Sequence, residues 1–177
     1  MIQLREKDLP VRAYLDLARQ VLLLCRRYGA RLLINGRVDV ALGLKADGVH
    51  LGRDALPPEA VRRILPRGML LGVSTHSREE ALAAQAEGAD FVTFGPVFFT
   101  PSKARYGPPK GLDALREVSR AVSIPVYGLG GITPENASRV LASGAGGIAC
   151  ISAILAAPDP AAAARGFMKA LQNAGSP

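Results

Sequence analysis

The chain has 177 residues, 49% apolar and 21% charged, which is the balance of a globular protein able to build a core of its own. Its 22 Lys and Arg against 15 Asp and Glu leave a net charge of +7, favouring phosphorylated small molecules, acidic surfaces or nucleic acid as partners. No apolar run approaches the roughly 20 residues that span a bilayer. Arg5, Glu6, Lys7 and Asp8 interrupt the stretch that a secretory signal would keep apolar, and two cysteines, Cys25 and Cys150, are too few for a disulfide scaffold. A reduced, cytoplasmic chain with no membrane partner is expected.

In chain order, Ile2–Leu4 is a short apolar strand, followed by a helix over 10–28. Pro10 fits its first position, Gly29 its stop, and Tyr14, Ala18, Leu22 and Cys25 lie on one apolar stripe. Strands are predicted next at 31–34 and 48–51, and Pro57 opens a short helix. After a strand over 70–74, Ser77-Arg78-Glu79-Glu80 is a capping-box pattern for a helix to about residue 87. A strand over 91–94, a helix over 112–122 and a strand over 124–128 follow. Thr133-Pro134-Glu135 then starts a helix that stops at Gly144. The last strand, 147–151, enters a short helix, and an Ala-rich helix over 161–173 closes the chain.

The seven strand starts recur about every 24 residues, the step of a βα repeat with buried parallel strands. That alternation leaves a doubly wound sheet or a barrel, and the short, even step favours the barrel. The expected fold is therefore α/β, a TIM (β/α)8 barrel occupying residues 1–177 as one domain. Such a barrel needs eight strands and usually about 200 residues, so the first βα unit is expected to be missing from this chain, upstream of Met1.

In these barrels the active site is built from the loops at the carboxyl ends of the strands. Polar and glycine residues at those positions are Arg5, Lys7, Asn35, His50, Ser74, His76, Thr100, Ser102, Lys103, Gly130, Gly131 and Ser152. Two glycine turns, Gly130-Gly131 and Gly146-Gly147, flank the last two strands, where backbone N–H groups can approach an oxyanion closely; this predicts a phosphate site. Hydroxyl groups flanking Lys103 suit a phosphate or pyrophosphate as well, and Lys103 is also a catalytic candidate. His50 and His76 are the only histidines, and so are the candidate acid/base groups near neutral pH. No cluster has zinc-ligand spacing, and carboxylates for magnesium are sparse, Asp39 and Asp54 being nearest. No nucleic-acid reader motif is present and the cations are scattered, so nucleic acid is not expected as a partner.

Taken together, Gln3-Leu4-Arg5-Glu6-Lys7, Gly48-Val49-His50-Leu51-Gly52, Gly72-Val73-Ser74-Thr75-His76-Ser77, Thr100-Pro101-Ser102-Lys103 and Gly128-Leu129-Gly130-Gly131-Ile132-Thr133 resemble the thiamine phosphate synthase/TenI family over nearly the whole chain. The resemblance implies the (β/α)8 barrel, a homodimer and small phosphorylated substrates. It places Gln3, Arg5, Lys7, Asn35, His50, Ser74, Thr100, Ser102 and Lys103 on a pyrimidine pyrophosphate. It places Gly131, Ile151 and Ser152, with Gly130 beside them, on a thiazole phosphate.

The sequence departs from the synthase pattern at two carboxylates for magnesium, which fall on Gly36 and Ala55, with Asp54 one residue early. This departure turns the expectation toward a TenI-like thiazole tautomerase, a proton-transfer enzyme needing no cofactor. The catalytic His of that branch falls on Pro96, so His76, with His50 as the alternative, would carry the proton. The alternatives are a thiamine phosphate synthase using Mg2+ with Asp54 as its ligand, and a non-catalytic phosphate-ligand binder or regulator.

Overall fold

The computed structural model describes residues 1–174, and for Arg105, Tyr106 and Ala174 the backbone alone. Seven strands alternate with eight α-helices among these residues, so the fold is α/β. The strands are β1 (Ile2–Leu4), β2 (Leu32–Asn35), β3 (Gly48–Leu51), β4 (Leu70–Thr75), β5 (Phe91–Phe94), β6 (Val126–Leu129) and β7 (Gly147–Ala149). The helices are α1 (Val11–Arg27), α2 (Val38–Leu44), α3 (Pro58–Ile64), α4 (Arg78–Ala86), α5 (Gly111–Ala121), α6 (Ala137–Ala142), α7 (Ser152–Leu155) and α8 (Pro160–Ala174). The chain divides into two compact units, 1–74 with 86–90, and 75–85 with 91–177.

In the first unit β1, β2, β3 and β4 pair in that order, all parallel. Helix α1 buries the stripe read from its spacing: Tyr14, Ala18, Leu22 and Cys25 are each at most 5% exposed. They join Leu32, Leu33, Ile34, Val49 and Leu51 in the core. The strands are tied by carboxylates at the loops that enter them. The Leu32 N–H donates to Asp47 Oδ2 at 2.8 Å, and the Leu71 N–H donates to Asp90 Oδ2 at 2.7 Å. Both acids follow an alanine and immediately precede a strand, so one device serves two βα units.

In the second unit β5, β6 and β7 pair in order, again parallel. Val92, Phe94, Leu115, Val118, Val126, Val140 and Phe167 are buried there. The capping box before α4 is present in altered form. The Glu80 N–H donates to Ser77 Oγ at 3.2 Å, but the Glu80 carboxylate accepts from the His76 N–H at 2.6 Å rather than from Ser77. Helix α6 begins at Ala137, four residues later than Thr133, because the Asn136 side chain closes a turn first. Helix α2 lies where no helix was predicted. It has seven residues with Val38 and Val40 among them, too short and too β-branched for a periodic signal. Cys25 and Cys150 are free thiols, each with its pKa raised by burial, Cys150 to about 11. No helix among the described residues is long and apolar enough to cross a membrane.

Candidate functional site

The first unit carries a polar row along the carboxyl ends of its strands. Gln3 Nε2 donates to Asn35 Oδ1 at 3.2 Å, and Asn35 stands in register with His50. His50 Nε2 lies 2.9 Å from Ser74 Oγ. Three residues singled out by position, Asn35, His50 and Ser74, thus stand in one row with Gln3, which the family resemblance supplied. His50 is 3% exposed, and burial in this apolar sheet lowers its pKa from 6.5 to about 4. At neutral pH it is an uncharged orienting partner for Ser74, and it is unsuited to donate a proton as an imidazolium. Arg5 and Lys7 follow β1 as exposed side chains.

Arg37, at the end of β2, holds Asp39 in a two-pronged pair, Nε to Oδ1 at 2.9 Å and Nη2 to Oδ2 at 2.6 Å. This hydrogen bonding keeps the Asp39 carboxyl below its usual pKa. The guanidinium also lies 5.9 Å from the Tyr14 ring centre, and the Tyr14 hydroxyl donates to the Leu4 carbonyl at 3.3 Å. Tyr14 reads in the sequence only as part of the apolar stripe of α1, since the hydrogen bond of its hydroxyl depends on α1 packing beneath β1.

The second unit is organised around the Gly130-Gly131 turn. Both glycines have positive φ, 98° and 64°, and neither has room for a side chain. A Cβ on Gly130 would come within 2.7 Å of Pro96 Cβ, and one on Gly131 would collide with the Phe99 carbonyl oxygen. The turn is stitched to the loop after β5: the Val97 N–H donates to Leu129 O at 2.9 Å and the Phe98 N–H to Gly130 O at 3.0 Å. Asn136 locks it from the other side, donating to Gly131 O at 3.0 Å while accepting from the Thr133 N–H at 2.9 Å. The Gly130 and Gly131 N–H groups find no acceptor among the described residues. They remain available as hydrogen-bond donors. Asn136 was missed, although its place three residues after Thr133 is the available signal.

The second glycine pair has a different setting. Gly146 donates to Val126 O at 2.9 Å, and a Cβ on Gly147 would lie 2.8 Å from the Tyr127 ring. The absence of a side chain at Gly147 lets β7 pack against the Tyr127 ring. Ile151 and Ser152, at the start of α7, are exposed, and no backbone hydrogen bond ties them to Gly131 among the described residues. Thr100 Oγ1 and Ser102 Oγ approach to 3.3 Å in the loop carrying Lys103, where Pro101–Tyr106 forms a 3-10 turn. His76 has its ring Nδ1 2.6 Å from the Gly95 carbonyl. A carbonyl can only accept, so Nδ1 carries the proton and Nε2 of the neutral ring is left with a free lone pair.

The sequence profile of the family described as Thiamine monophosphate synthase matches residues 1–154. The chain belongs to that family. A relative from Geobacter sulfurreducens is 55% identical over 170 residues, covering 96% of this chain and 80% of that protein. The protein named thiamine-phosphate synthase from Roseiflexus castenholzii is 52% identical over 164 residues, 93% of this chain and 72% of its own. Among solved structures, thiamine phosphate pyrophosphorylase from Pyrococcus furiosus superposes with a TM-score of 0.90 at 38% identity, covering 98% of this chain and 83% of that one. These relatives favour the synthase reading over the tautomerase one.

The synthase reaction brings magnesium with it by resemblance, and the donors present do not fit such an ion. At the end of β2 stands Gly36, without a side chain, and the neighbouring Asp39 is taken up by Arg37. Asp54 is exposed in a turn closed by the Ala55 N–H on Gly52 O at 3.1 Å. Among the described residues no three His, Cys, Asp or Glu side chains cluster as a metal site.

Proposed function

We propose that this chain is a thiamine-phosphate synthase that joins a hydroxymethylpyrimidine pyrophosphate to a thiazole phosphate. The observation that carries the reading is the family match over residues 1–154 together with the named synthase at 52% identity. In the reaction, the bond between the pyrimidine methylene carbon and the pyrophosphate oxygen breaks. Pyrophosphate leaves with the electron pair, and the thiazole nitrogen lone pair forms the new carbon–nitrogen bond. No proton needs to move, which suits a site whose most buried histidine is held neutral.

In the first unit, Gln3, Asn35, His50 and Ser74 fix the pyrimidine by hydrogen bonds while Arg5 and Lys7 meet pyrophosphate charge. In the second unit, the N–H groups of Gly130 and Gly131 hold the thiazole phosphate, joined by Ile151 and Ser152. Thr100, Ser102 and Lys103 add hydroxyl and ammonium donors. The fold this assigns is the (β/α)8 type.

The test is turnover of both substrates to thiamine phosphate by the purified chain. Gly131→Ala, whose added methyl meets the Phe99 carbonyl, should raise KM for thiazole phosphate about tenfold or more by pushing the donors away. Binding of thiazole phosphate without any product would favour the phosphate-binder alternative. A second reading, the thiazole tautomerase, is favoured by one geometry, the free Nε2 of His76. Conversion of the carboxythiazole phosphate tautomer, lost in His76→Asn, would establish it.

A further inference from the structure

We infer that the chain grips pyrophosphate without a bridging divalent cation, using side-chain cations at the carboxyl ends of β1 and β3, and that Arg53 is one of them. The inference rests on the synthase reading. Magnesium is usually held by one or two carboxylates plus substrate phosphates, and two of the carboxylates near the polar row of the first unit are already taken up. Asp39 is engaged on both oxygens by Arg37. Glu6 accepts from the Asp8 N–H at 2.8 Å. Asp8 and Asp54 are exposed, and among the described residues no three His, Cys, Asp or Glu side chains come together.

The position best placed for a metal acid is Gly36, next to Asn35 in the polar row. A Cβ there would meet nothing within 4 Å, and its φ of 68° is one that Asp and Asn tolerate better than other side chains. Space for a carboxylate is therefore present while the carboxylate is absent. A leaving pyrophosphate still needs its charge met, and fixed cations can supply this through charge-assisted hydrogen bonds. Arg5 and Lys7 after β1, and Arg53 two residues after β3, form no ion pair among the described residues. Arg37, by contrast, is already committed to Asp39.

The experiment is calorimetric titration of the full chain with inorganic pyrophosphate, in magnesium chloride and separately in EDTA. The expected result is binding of similar affinity in both buffers, weakened about tenfold by Arg53→Ala, as fits loss of one hydrogen bond to a charged group. Gly36→Asp should make binding respond to magnesium. Binding by the parent chain only in magnesium, removed by Asp54→Ala, overturns the inference and leaves the synthase reading standing. Unchanged affinity in Arg53→Ala overturns the role of that residue. No binding in either buffer overturns the inference and the synthase reading together. Arg53 and Gly36 are both exposed, so the variants should fold, and their thermal melts check it.

Discussion

His50 shows how one buried side chain can set a pH limit. In the folded chain its pKa is about 4 against an ordinary 6.5, so the native state keeps the ring neutral while the unfolded chain takes up a proton below pH 6.5. Its stabilising contribution is complete above pH 6.5 and is lost as the pH falls toward 4, on the order of 3 kcal/mol in all. Urea unfolding from pH 7.5 down to pH 4.5 should show this loss in the parent chain and much less of it in His50→Gln. Equal slopes would mean that the ring is solvated. Asn35, His50 and Ser74 were legible as site residues because each lies at or near the carboxyl end of its strand, whereas Gln3 was reached only through the family resemblance. Asn136 was not, because its value lies in a turn that closes only when its side chain reaches back to Thr133 and Gly131.

The elements themselves were set by local signals. Strands β1, β3 and β5 fall where their apolar runs predicted, and α1 buries the stripe read from its spacing. β7 stops at Ala149, short of the predicted Ile151, because the backbone turns at Ile151 to enter α7. The two acids that enter β3 and β5 are a feature of tertiary packing. Each looks like an ordinary loop residue, yet Asp47 and Asp90 accept a strand N–H from the preceding βα unit. Asp47→Ala would leave the buried Leu32 N–H without its partner, at a cost of about 1–3 kcal/mol. A fall in unfolding free energy of this size in chemical denaturation checks it, whereas a change under about 0.5 kcal/mol, usual for a surface substitution, would show that the N–H is otherwise satisfied.

For the whole molecule, a net charge of +7 supplies attraction for any polyanion, and this attraction is screened once the Debye length shrinks, to about 8 Å at 0.15 M salt. Pyrophosphate affinity should therefore fall as sodium chloride is raised, a trend read by the same calorimetry. A salt-independent affinity would argue that fixed hydrogen bonds, rather than charge, hold the ligand. The family match extends over residues 1–154.

The sequence by itself determined the alternation of strands and helices, the βα step and the candidate residues at strand ends. It could do so because periodicity, capping and glycine punctuation act over a few neighbouring residues. Only the tertiary structure decided that Gln3 meets Asn35, that His50 meets Ser74, and that Gly147 lies against the Tyr127 ring. Those contacts join residues far apart in the chain, and no spacing rule carries them until parallel strands set the register.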